Sequence, residues 1–285
     1  VRIPLPPVAL SPEAVLTAQE YADGRRTPVE PRDAATVVLT RAGAGGLEVY
    51  MLRRQRSMSF AAGMAVFPGG GVDPRDASED VPWAGPTPTQ WAERLGCDVA
   101  RARALVCAAV RETFEECGVL LAGASGTEVV ADVSADYWET DRAALEARTL
   151  SLSELLERRG LVLRTDLLGA WAGWCTPAFE PRRYRTWFFV AALPEGQLTR
   201  DVSGESVSVH WLPAEEAVAA AEAGELALMP PTYLTCLEVA QYADPAALLE
   251  ESSSRRVEMF TPSVDKDRLT MMPLHRELLR ARGRL

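Results

Sequence analysis

The sequence predicts a mixed α/β fold, a mixed sheet covered by helices. Three observations lead there. Apolar segments of strand length interleave with helical segments and follow no regular βα repeat. Hydrophobic residues make up 47% of the 285 residues and charged residues 25%, enough apolar material for a large core and too much for a disordered chain. No internal repeat is visible.

The elements are read in chain order. Residues 1–34 are Pro-rich and form an N-terminal extension with one helical stretch, Pro12 to Ala22. Ala35 to Thr40 reads as a buried strand and Leu47 to Leu52 as its hairpin partner across a small-residue turn. Met64 to Phe67 is a third strand, stopped by Pro68 and the glycine run 69–71. Asp73 to Pro88 is a polar loop, and Thr89 to Leu95 is a short helix. Asp98 caps a helix from Val99 to Cys117, which Gly118 ends. Val119 to Ala122 returns to strand. Ala135 to Arg159 is helical with a break near Thr149, where Ser151 and Glu154 fit a capping box. Gly169 to Trp174, Arg185 to Ala192 and Ser206 to Leu212 read as strands, and Pro213 to Ala223 and Pro231 to Tyr242 as helices. The main domain is placed at 35–245. Residues 246–285 form a C-terminal extension packing on it, unassigned from Ser252.

Composition excludes several classes. A formal net charge of −10 argues against a nucleic-acid partner or an anionic membrane surface. No apolar run approaches the ~18 residues of a bilayer span. The first residues show no signal-peptide pattern. Cys97, Cys107, Cys117, Cys175 and Cys236 form no CxxC pair and read as reduced thiols of a cytoplasmic protein. With only His210 and His275, a His-rich zinc site or a Ser/His/Asp triad is a poor fit. Lys266 is the sole lysine; the arginine excess suits phosphate recognition, and composition bias explains it equally well.

The helix ending at Cys117 carries the chemistry. Glu112, Glu115 and Glu116 fall within an arc of roughly 100° on it. Arg111 reaches Glu115 at i,i+4, but one arginine cannot neutralise three glutamates. A divalent cation can, and hard oxygen donors select Mg²⁺ or Mn²⁺. The alternative is a solvated acidic face.

These residues, with the upstream Phe67-Pro68-Gly69-Gly70-Gly71 turn, resemble the Nudix hydrolase family. Its signature is G, five residues, E, seven residues, then R-E-U-x-E-E-x-G-U, where U is a bulky aliphatic. Its second half matches Arg111 to Val119, with Thr113 at an aliphatic position, and its first glycine matches Gly70. Gly70 and Arg111 stand 41 positions apart where the signature has 14, so about 27 residues, near 77–104, are inserted. The first signature glutamate falls on Asp76; Glu79 or Asp80 is the alternative carboxylate. The long insertion, the Arg53–Phe60 segment, Trp174-Cys175-Thr176-Pro177 and Pro181-Arg182-Arg183-Tyr184 resemble the coenzyme A diphosphatase branch.

The resemblance implies a Nudix-type α/β/α sandwich with helical insertions. It implies metal-dependent hydrolysis of a nucleoside diphosphate linked to another group, coenzyme A or its thioesters foremost. Glu112, Glu115, Glu116 and the Gly70 carbonyl would be metal ligands, with Glu115 also a base and Arg111 its orienting partner. Glu205 is the candidate general base on a distant loop. Arg53, Arg54, Arg56, Arg182 and Arg183 would hold substrate phosphates, with Arg182 and Arg183 the best-placed pair and Arg53 and Arg54 in reserve. Trp171, Trp174 and Phe60 are weighed as purine stackers against a core role. The insertion is expected to form a helical cap at the site mouth. The partner is a small nucleotide diphosphate; a homodimer stays open. The competing readings are an ADP-ribose, NADH-type or oxidised-nucleotide pyrophosphatase and a non-catalytic nucleotide-sensing Nudix module.

Overall fold

Val37, Val38 and Leu39 are consecutive and fully buried. Side chains alternate along a strand, so both faces of this one must be covered. The computed structural model describes residues 4–55, 61–202 and 206–285, with backbone only at 206–207. The strand is β1 (Arg32–Gly43), and it forms a hairpin with β2 (Gly46–Arg54). The other strands are β3 (Ala65–Val66), β4 (Gly69–Gly71), β5 (Trp83–Ala84), β6 (Ala122–Gly123), β7 (Val162–Arg164), β8 (Leu168–Cys175), β9 (Tyr184–Ala192), β10 (Ser206–Pro213), β11 (Met259–Phe260), β12 (Val264–Asp265) and β13 (Arg268–Leu269). The main sheet runs β10-β2-β1-β9-β8-β11, with β3 added to β2 and β4 to β1. It is mixed, because β1/β9 and β8/β11 are parallel and the other pairs antiparallel.

The helices are α1 (Pro12–Ala22), α2 (Pro88–Leu95), α3 (Val99–Cys117), α4 (Asp136–Glu146), α5 (Leu152–Arg159), α6 (Ala214–Ala223), α7 (Pro230–Val239), α8 (Pro245–Ser254) and α9 (Pro273–Ala281). Helices α2 to α5 share one core with Val37, Leu39, Tyr50 and Leu52. Helices α6 to α9 share the other with Val38, Val49 and Met51. The result is an α/β/α sandwich. The unassigned tail is built into it, since β11 extends the sheet beside β8 and Leu279 of α9 is fully buried.

Three local expectations are corrected. The glycine run is a strand as well as a turn, because Gly69–Gly71 pairs with Ala34–Thr36 of β1. Of Val119 to Ala122 only Ala122 is strand, in β6 of a small separate sheet with β7 and β5; the Gln197 side chain bonds both the Leu120 N–H and its carbonyl at 2.9 Å, and the Leu121 carbonyl accepts from the Arg164 N–H at 3.0 Å. The 77–104 insertion is part of the core rather than a cap. Val81, Trp91, Ala92, Leu95 and Ala102 join the α3-side core, and Trp91, 0% exposed, meets Phe189 edge-on at 5.8 Å between ring centroids. Its last residues are the first turns of α3. Trp91→Ala should therefore cost about 3–5 kcal/mol in urea unfolding. Replacing 77–104 by a Gly/Ser linker should abolish the cooperative transition, and a linker variant that still unfolds cooperatively would refute this.

Candidate active site

α3 is fixed at both ends by its own sequence. The Asp98 side chain accepts from the Arg101 N–H, and Gly118 ends the helix in the left-handed region at φ 69°. Thr113, at the aliphatic signature position, is buried because its hydroxyl bonds back to the Ala109 carbonyl at 2.7 Å.

The acidic face is not a solvated one. Glu115 and Glu116 are each 8% exposed, and Glu112 is largely covered. The glycine strand β4 covers them. A Cβ on Gly70 would stand 2.5–2.6 Å from the Glu112 carboxylate, so glycine lets the strand sit this close without displacing that side chain. The Gly69 N–H donates to Glu116 Oε2 at 2.8 Å. A Cβ on Gly69 would collide with Thr36 and the Ala35 carbonyl, so glycine also lets β4 sit against β1.

Arg111 holds the centre. Its Nε and Nη2 donate to the two oxygens of Asp76 at 3.0 and 2.9 Å, and Nη2 also donates to the Gly71 carbonyl at 3.0 Å. Its Nη1 donates to Glu112 at 2.7 Å and Glu115 at 3.2 Å. Burial opposes the guanidinium's charge, but these carboxylates outweigh it and raise its pKa. Glu115 is less well served. Burial first, then the charge of Glu112, pushes its pKa up to about 7. Negative charge is in excess here.

That excess is the test of fit for a divalent cation. The donors are hard oxygens, one arginine serves several carboxylates, and Gly70 brings main chain against Glu112. The carboxylates do not converge on one point. Among the described residues no three acidic, His or Cys side chains form a metal-like cluster. Arg111 lies between Glu112 and Glu115, and Glu116 bonds Gly69.

Asp76 stands at the first signature carboxylate. It is 2% exposed and grips Arg111 with both oxygens, while Glu79 and Asp80 are exposed. The Asp73 N–H donates to the same Asp76 at 2.8 Å and completes a capping box. The Asp73-x-x-Asp76 spacing is a signal for this box that sequence reasoning passed over.

The structure separates the candidate phosphate ligands. Tyr50 and Leu52 belong to the α3-side core and Met51 to the opposite one, so alternation along β2 places Arg54 on the α3 face and Arg53 on the other. Arg183 is committed to the fold, donating to the Thr176 and Val29 carbonyls and to Cys175 Sγ at 3.1, 2.9 and 3.4 Å. Arg182 is exposed on the β8–β9 hairpin. Trp171 and Trp174 are buried in the α6–α9 core, across the sheet from α3, so neither stacks at the acidic face. Glu205, Arg56 and Phe60 lie outside the described residues. The described cysteines are free thiols, and no helix is long and apolar enough to cross a membrane among the described residues.

Fold and acidic face together define a Nudix domain. The family model described as the NUDT19 Nudix domain matches residues 86–238, and the chain belongs to this family. A Caenorhabditis elegans relative carrying a nudix hydrolase name is 29% identical over 218 residues, 75% of this chain and 62% of its own length. The acyl-coenzyme A diphosphatase NUDT19 of Gallus gallus is 25% identical over 278 residues, 80% of this chain and 72% of its own. That of Xenopus laevis is 22% identical over 231 residues, 69% of this chain and 60% of its own. The chain thus spans about three fifths of the length of two of these relatives. The crystal structure of a NUDIX hydrolase from Alicyclobacillus acidocaldarius superimposes with a TM-score of 0.68 at 26% identity, covering 81% of this chain and 99% of that one.

Proposed function

We propose that this chain hydrolyses the diphosphate linkage of a nucleoside diphosphate joined to another group, with coenzyme A or an acyl-coenzyme A as substrate. The observation that carries the reading is the glycine strand seated on a buried, charge-excess acidic face. A solvated helix would leave such carboxylates in water, whereas these are buried around a single arginine. Resemblance to acyl-coenzyme A diphosphatases supports the substrate class.

Glu112, Glu115, Glu116 and the Gly70 carbonyl would hold Mg²⁺ or Mn²⁺, which neutralises diphosphate charge and lowers the pKa of bound water. Asp76 holds Arg111, and Arg111 in turn orients Glu112 and Glu115. Burial raises the Glu115 carboxyl to about 7 in the metal-free chain; with the cation bound it would serve as ligand or base. Glu205 is the further candidate base. Arg54, on the α3 face, is the leading phosphate ligand, with Arg53 and Arg182 in reserve.

Coenzyme A, its 3′-dephospho form, ADP-ribose, NADH and an oxidised nucleotide would be assayed with Mg²⁺, with Mn²⁺ and with chelator. Metal-dependent release of a phosphorylated half from coenzyme A supports the reading. Preference for ADP-ribose or NADH replaces the substrate, and no turnover of any diphosphate favours a binding module. Arg54→Ala should raise KM for coenzyme A at least ~10-fold more than for the dephospho form, because only the former carries the group being held. An unchanged ratio in Arg53, Arg54 and Arg182 variants would remove the 3′-phosphate argument.

A further inference from the structure

The last turn of α3 is held from outside the helix. A helix leaves its final carbonyls without intrahelical donors. Here the Phe114 carbonyl accepts from the Gly118 N–H at 3.0 Å, a local cap. The other two bonds are tertiary. The Cys117 carbonyl accepts from the Arg200 backbone N–H at 2.9 Å, and the Glu115 carbonyl accepts from Arg142 Nη1 at 2.6 Å.

Arg142 comes from α4 and is 4% exposed. Its Nε and Nη2 both donate to Glu139 Oε1, at 2.9 and 2.7 Å, and Nη1 also donates to Glu146 at 3.0 Å. The second oxygen of Glu139 accepts from Arg200 Nη1 at 3.0 Å. The Arg200 carbonyl accepts from the Tyr50 hydroxyl of β2 at 3.1 Å. A Cβ on Gly118 would stand 2.8 Å from Arg200 Nε, so glycine here clears the guanidinium as well as ending the helix. Glu115, Arg142, Glu139, Arg200 and Cys117 thus form a closed clamp.

We propose that Arg142 is a positioning residue for the hydrolysis assigned above, acting through the main chain of Glu115, with Glu139 and Arg200 completing the clamp. This rests on the hydrolase reading. Asp76 restrains the turn that carries Arg111 and Glu112. The clamp restrains the next turn, which carries Glu115 and Glu116. Arg142 bonds the carbonyl of Glu115 and not its carboxylate, so it orders the backbone without competing for the acidic face. Its positive charge also complements the C-terminal end of the helix. Without it the turn frays, and a misplacement of about 1 Å is enough to cost up to ~10²-fold in rate.

The test compares Arg142→Met, Arg142→Lys and Arg159→Met. Arg159 bonds the buried Asp141 of the same α4, lies over Trp138 and, among the described residues, makes no hydrogen bond to α3, so its loss loosens α4 without removing the clamp. All are read for kcat, KM and Mn²⁺ affinity at a temperature where circular dichroism shows them folded. Arg142→Met should lower kcat by ~10- to 10²-fold and weaken Mn²⁺ binding several-fold, with KM within about twofold. Arg142→Lys should recover most of kcat, because one ammonium still reaches the carbonyl. Arg159→Met should lower Tm and leave kcat within about twofold. If Arg142→Met does not fold, Glu139→Gln, which weakens the clamp from its exposed side, should lower kcat at least ~3-fold. An active wild type with unchanged Arg142→Met, or unchanged Glu139→Gln in its place, overturns the clamp alone. Equal loss in Arg159→Met overturns it too. A wild type that hydrolyses no diphosphate overturns both readings.

Discussion

Glu115→Gln and Glu116→Gln are each expected to lower kcat at least ~10²-fold, because each removes a charge that holds metal and stabilises the transition state. The two variants should differ in stability. Glu116 is matched by the Gly69 N–H, which a glutamine oxygen can also accept. Glu115 is mismatched, its pKa raised to about 7 by burial and by Glu112. In the metal-free chain a raised carboxyl favours its neutral form on folding. Its contribution is fully present below the unfolded pKa of about 4.5 and is lost as pH rises through the folded value of about 7. The loss is on the order of 3 kcal/mol at pH 8. Metal-free Glu115→Gln should therefore melt above wild type at pH 8, and the gap should close towards pH 5. Activity lost with stability gained is the mark of a carboxylate kept for chemistry. Near-wild-type turnover in both variants would remove the metal-site reading.

Arg111→Met is expected to cost about 3–5 kcal/mol, because it strands Asp76 in the interior with no counter-charge. Arg111→Lys should rescue little. The guanidinium serves both oxygens of Asp76, the Gly71 carbonyl, Glu112 and Glu115, a spread that one ammonium cannot span. Adding Asp76→Asn to Arg111→Met should return much of the stability and none of the turnover. Urea midpoints of the single and double variants separate the two effects. A single-variant cost under about 1 kcal/mol would show that Asp76 finds another partner, and the account of Arg111 as the hub would fail.

The insertion shows where a linear reading runs out. Its Trp91 and Leu95 carry the same pattern whether they cap a site or fill a core, and only their packing against α3 and Phe189 decides. Arg183 is similar. Beside Arg182 it reads as a phosphate ligand, yet its donors are used by Thr176, Val29 and Cys175, which the hairpin brings to it. The glutamates three before and four after Arg142 are a local pattern, but the Glu115 carbonyl it holds is 27 residues away, and nothing local marks that contact.

The sequence by itself determined the helix from Val99 to Cys117, its Asp98 and Gly118 caps, the three glutamates on one face and the hairpin of β1 and β2. Caps and periodicities are local, acting over three or four residues, so they are written in the chain. Tertiary structure alone decided that the acidic face is buried beneath Gly69 and Gly70, that Asp76 serves Arg111 while Glu79 and Asp80 face solvent, and that the last turn of α3 is held by Arg142 and Arg200. Those outcomes depend on groups 27 to 83 positions apart meeting across the sheet and its helices, and on which of them lose water when they meet.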